Sequence, residues 1–259
     1  MRFKKKHTRI FLVEITSSLM FSLAYFILLG RVLSNSFTLN LLELSALVAF
    51  IYVIAIFVSS YRFEADLFPF YSLLRSLFER TWVPVWLNLP AQLLGTLLGF
   101  GMYVFMLDTV LTLSPIADIG AVSSFEIGDP WMHSFSQGVL VFILIYSILI
   151  IRKLFVLKGM TGTLLIAILV FVLSALSLPL DRISVIAWPQ DMVLNVYHHI
   201  QRGDGWAINH RTALSAAVVL LTVVLAYVKA SQYMRPAETP VDSAEPGEFA
   251  GDFNKDYDI

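Results

Sequence analysis

The sequence predicts an all-α protein embedded in a membrane, and three observations carry that prediction. Hydrophobic residues make up 58% of the 259-residue chain, and the mean hydropathy is +0.76. Charged residues make up only 14%, where a soluble domain carries about 25%. The apolar residues are also gathered into runs of the length a spanning helix needs, about 20 residues. Six such windows are present, at roughly 10–30, 41–60, 84–107, 137–152, 161–179 and 212–231.

The first window follows the basic stretch MRFKKKHTR. Its apolar run is too long for the core of a secretory signal and has no clear small-residue cleavage site, so it is read as a retained first span. The second and third windows are separated by a segment holding Arg62, Arg75 and Arg80, and the fourth and fifth by Arg152, Lys153 and Lys158. The stretch 108–136 carries Asp108, Asp118, Glu126 and Asp129 with no Lys or Arg. Cytoplasmic loops are the ones enriched in Lys and Arg. Six spans with both termini cytoplasmic satisfy this distribution, in an inner or plasma membrane. From Arg235 the chain is acidic and rich in Pro and Gly, which predicts a disordered cytoplasmic tail over 235–259 beside a single membrane domain over 1–234.

Several classes of function are excluded on composition. The net charge of −1 and the lack of a basic aromatic patch give nothing for nucleic acid to bind. With no cysteine there is no disulfide, thiolate metal site or Cys nucleophile. His198 and His199 are adjacent and face different ways, whereas a helical metal pair needs a four-residue spacing. His210 stands apart from both. No Ser/His/Asp arrangement and no phosphate-binding Gly loop is visible, so the expectation is no enzyme, no metal and no cofactor.

Two segments are neither spans nor simple loops. In EADLFPFYSLLRSLFER (64–80), Pro69 precedes Leu73, Leu74, Leu77 and Phe78, which line one helical face. In 180–211, Pro189 precedes Met192, Val193, Val196, Tyr197 and Ile200, with Gly203 placed to supply a left-handed helix end. Proline suits the first turn of a helix because its missing N–H has no partner there in any case. Each segment follows the second span of a three-span half, the halves covering about 8–108 and 136–231. An odd number of spans per half forces opposite orientations, the logic of an inverted repeat with half-helices meeting near the midplane.

These residues resemble the aquaporin, or major intrinsic protein, family over about residues 8–231. EITSSLMFSLAYFILLG resembles the family's first helix, with Glu14 at its buried glutamate. LPAQLLGTLLGFGMYVF resembles the third, where Ala91 and Gln92 precede Gly95 and Gly99. The resemblance implies six transmembrane helices, two re-entrant half-helices and a homotetramer. It places the family's two Asn-Pro-Ala triplets on Phe68-Pro69-Phe70 and Trp188-Pro189-Gln190, so both prolines stand and both asparagines are replaced. Ungapped counting puts the constriction positions on Val48, Leu176 and Asp191, the last in place of the family's arginine, and the second buried glutamate on Gln137.

In the family each asparagine offers an N–H to passing water, and the half-helix N-termini add positive dipole ends. Phe68 offers no donor, and Trp188 offers one on a bulky ring. Phe68, Phe70 and Trp188 therefore either narrow the path or simply pack as core. Asp191 either removes a barrier to cations or sits inertly in a first turn, where a carboxylate is stabilised. An ionisable group inside a span is costly, so Glu14 is expected to accept hydrogen bonds from re-entrant backbone N–H groups. It is not expected to relay protons, since the sequence shows no second intramembrane acid. The leading expectation is a channel for water or a small neutral solute, with membrane lipid and further copies of itself as partners. A non-conducting structural or accessory subunit of a membrane complex is the alternative. An unrelated six-helix transporter with broken helices is the third reading.

Overall fold

The computed structural model describes residues 2–33, 40–59, 65–109, 130–154, 159–181, 189–190, 193, 196–197 and 210–233. Among these are seven continuous α-helices and one π-helical turn, with no strand. They are α1 (Arg2–Leu33), α2 (Leu41–Ser59), α3 (Pro69–Glu79), α4 (Val83–Thr109), α5 (Pro130–Leu149) with its π-helical continuation Ile150–Leu154, α6 (Gly159–Asp181) and α7 (His210–Tyr233). The acidic stretch 235–259 lies outside the described residues.

The helix ends follow from local chemistry. At the start of α2, Asn40 and Glu43 cap each other: the Glu43 N–H donates to Asn40 Oδ1 and the Asn40 N–H to Glu43 Oε2, both at 2.9 Å. The helix α3 starts on Pro69, with Phe68 extended in front of it. It ends on Arg80 in the left-handed conformation, and the Thr81 N–H reaches back to the Ser76 carbonyl at 3.1 Å. That 6→1 bond satisfies a carbonyl the helix end leaves open.

Four helical stretches are long and apolar enough to cross a membrane: His7–Gly30, Val85–Met106, Ser134–Arg152 and Met160–Ser177. The two other windows fold as helices with shorter apolar stretches, Leu42–Val58 and Ala217–Gln232. Outward faces are apolar too. On α6, Leu164, Ile168, Val172 and Leu176 recur every fourth residue and are all exposed, while Ile166, Val170 and Leu173 are buried. Such a stripe facing out of a bundle suits a hydrocarbon surroundings.

The helices pair in a repeating order. The most extensive packing joins α1 to α4 and α5 to α7, while α2 lies against α6. The first and third long helices of each half are thus partners, and the middle helices meet across the bundle. The short helix α3 packs on α4 of its own half and on α7 and α5 of the other. The second proline-led segment is described at Pro189, Gln190, Val193, Val196 and Tyr197, all helical. Its Val193 and Tyr197 pack on the cluster of Phe26, Phe100 and Tyr103 from α1 and α4.

Small residues bring α1 and α4 together. A Cβ on Gly95 would stand 2.6 Å from the Ile15 carbonyl oxygen, and one on Gly99 2.9 Å from that of Leu19. Only glycine admits backbones this close, the use of a Gly-x-x-x-Gly pair in membrane helices.

Candidate functional site

The polar residues that a bilayer would penalise most are gathered at the start of α3. Glu14, on α1, is buried. Its Oε2 accepts the Asp66 N–H at 3.0 Å, and its Oε1 accepts the Leu67 N–H at 2.7 Å. Gln92 of α4 donates its Nε2 to the same Oε1 at 2.6 Å and to Ser72 Oγ at 3.3 Å. Both carboxylate oxygens are therefore used as acceptors, and they hold the chain just before the proline. Leu67 needs that hold, because its φ of 57° lies in the left-handed region that a branched side chain rarely adopts.

A second buried acid sits beside the first. Asp66 accepts from Asn88 Nδ2 at 2.7 Å, from Arg152 Nη1 at 2.7 Å and from Arg75 Nη1 at 3.3 Å. The Ser72 hydroxyl adds a longer bond of 3.4 Å. Arg152 also donates Nη2 to the Ala65 carbonyl at 3.0 Å, and its guanidinium lies 5.1 Å from the centre of the Tyr71 ring. Arg75 pairs with Glu79 one turn along α3, at 3.2 Å. Burial pushes the Tyr71 phenol up in spite of the Arg152 charge, so the ring under the guanidinium stays neutral. At Arg75 burial works against the charge, but Asp66 and Glu79 more than offset it and hold the guanidinium protonated.

Asp66, Asn88 and Arg152 were not singled out by the sequence, and Asp66 is the second acid that it did not show. The available signal is the acid pair in EADLFP, whose second member stands three residues before a helix-starting proline. Arg152 is 86 residues away in the chain and reads there as one of three loop cations.

The other predicted positions divide by location. Phe68 and Phe70 are buried, and the Phe68 ring stacks on Tyr52 of α2 at 5.4 Å between centroids. Val48, one turn before Tyr52, is buried in the same cluster. The Tyr52 hydroxyl has no hydrogen-bond partner among the described residues, so this ring is placed by packing. Pro69 and Pro189 are both buried. Gln190 donates Nε2 to Ser22 Oγ of α1 at 2.7 Å, and that hydroxyl lies 3.3 Å from Thr96 Oγ1 of α4. Gln137 is half-buried on α5. Leu176 is a correction: counting puts it at a constriction, but it is 53% exposed on the outward stripe of α6. Each step along a helix turns the side chain by about 100°, so a slip of one position is enough to turn a residue from the interior to the outside. Trp188 and Asp191 lie outside the described residues, as do His198 and His199.

Both proline-led starts are therefore tied to one interior face of α1. Glu14 and Ser22 are eight residues apart, about 12 Å along the helix axis, and both fall within the stretch His7–Gly30. Their α4 partners Gln92 and Thr96 are one turn apart. Among the described residues no three His, Cys, Asp or Glu side chains gather as a metal site. Compared with known proteins, the chain matches no family model and no curated protein.

Proposed function

We propose that this chain is an aquaporin-like membrane protein, with six spans and two re-entrant half-helices, whose central path is filled. It serves as a non-conducting structural or accessory subunit of a membrane complex. The observation that carries this reading is the Phe68–Tyr52 stack. Phe68 stands where the resemblance puts the first pore asparagine, and its ring lies in one buried cluster with Val48, Ile56 and Tyr71. Rings packed at interior density leave little room for a file of water.

The architecture is supported by the pairing of α1 with α4 and α5 with α7, and by the two proline starts held on one face of α1. Irregular backbone at that depth is tolerated only where protein satisfies it, as Glu14 does for residues 66 and 67. On this reading the basic loops and both termini face the cytoplasm, and the outward stripe of α6 meets lipid or further copies of the chain.

Stopped-flow swelling of proteoliposomes tests it. The expected permeability to water and to glycerol-sized solutes equals that of empty vesicles, and purification from the native membrane returns a partner in fixed ratio. Permeability clearly above empty vesicles, with a homotetramer and no partner, would instead establish the competing reading of a channel for water or a small neutral solute.

A further inference from the structure

The residues 65–68 are gripped from both halves of the molecule. From their own half, Glu14 takes two of their N–H groups. From the other half comes Arg152, on the π-helical turn that follows α5. Such turns are rare and frequently mark functional sites. Arg152 uses three features of the guanidinium at once: one N–H on the Asp66 carboxylate, another on the Ala65 carbonyl, and its plane over Tyr71. A lysine ammonium cannot reproduce the three together.

We propose that Arg152 is a latch, a positioning residue supplied by the second half that holds 65–68 in place and so keeps the Phe68 ring on Tyr52. The inference rests on the closed-path reading and adds the means by which closure is held. Leu67 stores the strain that the latch restrains, with its φ of 57°. Asp66 has a side chain with no exposure, and its other cation, Arg75, lies further off at 3.3 Å and is itself a third exposed. Without Arg152 the carboxylate keeps this weaker ion pair, the Asn88 amide and the long bond from the Ser72 hydroxyl. A buried carboxylate so left draws in water, Leu67 relaxes toward ordinary backbone, and Phe68, two residues beyond Asp66, leaves its register with Tyr52.

Hydrogen exchange on the purified full chain in lipid nanodiscs reads this directly at the Asp66 and Leu67 amides. Stopped-flow swelling of vesicles holding the same proteins is run beside it. In Arg152→Lys exchange at these two amides is expected to rise on the order of tenfold, and in Arg152→Gln on the order of a hundredfold, as a buried ion pair is weakened and then broken. Amides in α1 and α4 stay as slow as in the unaltered protein. Unchanged protection at 66 and 67 in both variants would overturn the latch. So would a rise spread equally over α1 and α4 in Arg152→Lys, which marks a general packing residue. If Arg152→Gln does not fold, Arg152→Lys decides. Water flux through the unaltered protein would overturn the closed-path reading alone, because the exchange result judges the latch separately.

Discussion

The two proline-led segments begin alike and are held differently. Ahead of Pro69 the chain is gripped by charge: Glu14 accepts from two backbone N–H groups and from Gln92, and Asp66 is ringed by Arg152, Arg75 and Asn88. After Pro189 the described tie is neutral, an amide on Ser22 at 2.7 Å with Thr96 behind it. The contrast separates two ways of burying irregular backbone. A carboxylate can serve several donors at once, but losing it strands all of them. A neutral link serves one donor, and its loss is local.

The largest expected effect follows from that difference. Glu14→Ala leaves the Asp66 and Leu67 N–H groups without their acceptor in a buried site, takes from Gln92 Nε2 the shorter of its two bonds, and frees the strained Leu67 backbone. A buried donor left without its acceptor costs about 1–3 kcal/mol, so with more than one donor stranded the loss is expected to be several times that of a single neutral bond. Gln190→Ala, on the other side, removes one neutral bond and is expected to cost about 1 kcal/mol. Thermal unfolding of both variants in the same detergent measures the gap. Equal losses would mean that charge is not what distinguishes the two starts.

The next comparison is between the helix pairs. In the α1–α4 pair, a Cβ at Gly95 would meet backbone at 2.6 Å and the Ser18 Cβ at 2.7 Å. In the α5–α7 pair, a Cβ at Gly138 would meet Val218 Cγ1 at 2.6 Å, a methyl at the end of a side chain. Backbone cannot step aside without moving a helix, whereas a methyl can. Gly95→Ala is therefore expected to lose about 2–3 kcal/mol, and Gly138→Ala about 1 kcal/mol, within the range of overpacked interiors. Melting temperatures of the two variants check the order. If Gly138→Ala proves the worse, the small-residue seam is not special to the first half.

What the sequence made legible was whatever local pattern determines. Apolar run length marked the helices, and the prolines at 69 and 189 both fall in helical backbone, the first at a helix start. Glu14 was conspicuous because an acid in an apolar run has few ways to be satisfied. Asp66 and Arg152 were hidden because their meaning lies in a contact across 86 residues, and loop charges are ordinarily solvated. Leu176 failed for a geometric reason. Ungapped counting carries no rotational phase, and Leu173, Ser174 and Ser177 are the buried positions at that level of α6. Phe68 was singled out, but nothing local says that its ring would lie flat on Tyr52.

The smallest effect sharpens the seam from its other side. Gly99 and Gly101 stand two residues apart on α4, so they face nearly opposite ways round the helix. A Cβ on Gly99 would come within 2.9 Å of the Leu19 carbonyl oxygen and of Ser22 Cβ, while one on Gly101 would meet nothing within 4 Å. At Gly99 the missing side chain is a condition of the packing. At Gly101 it only leaves the helix interior with a residue whose backbone freedom is wide. Alanine there restricts the unfolded chain and touches nothing, so Gly101→Ala is expected to stabilise by about 0.5–1 kcal/mol. Gly99→Ala is expected to destabilise as Gly95→Ala does. A single thermal series on both variants carries the comparison, since each reports on the same helix and the same substitution. Opposite signs place the close approach on one face of α4. Two losses would mean that the face bearing Gly101 is itself packed against something in the membrane, most simply a second copy of the chain.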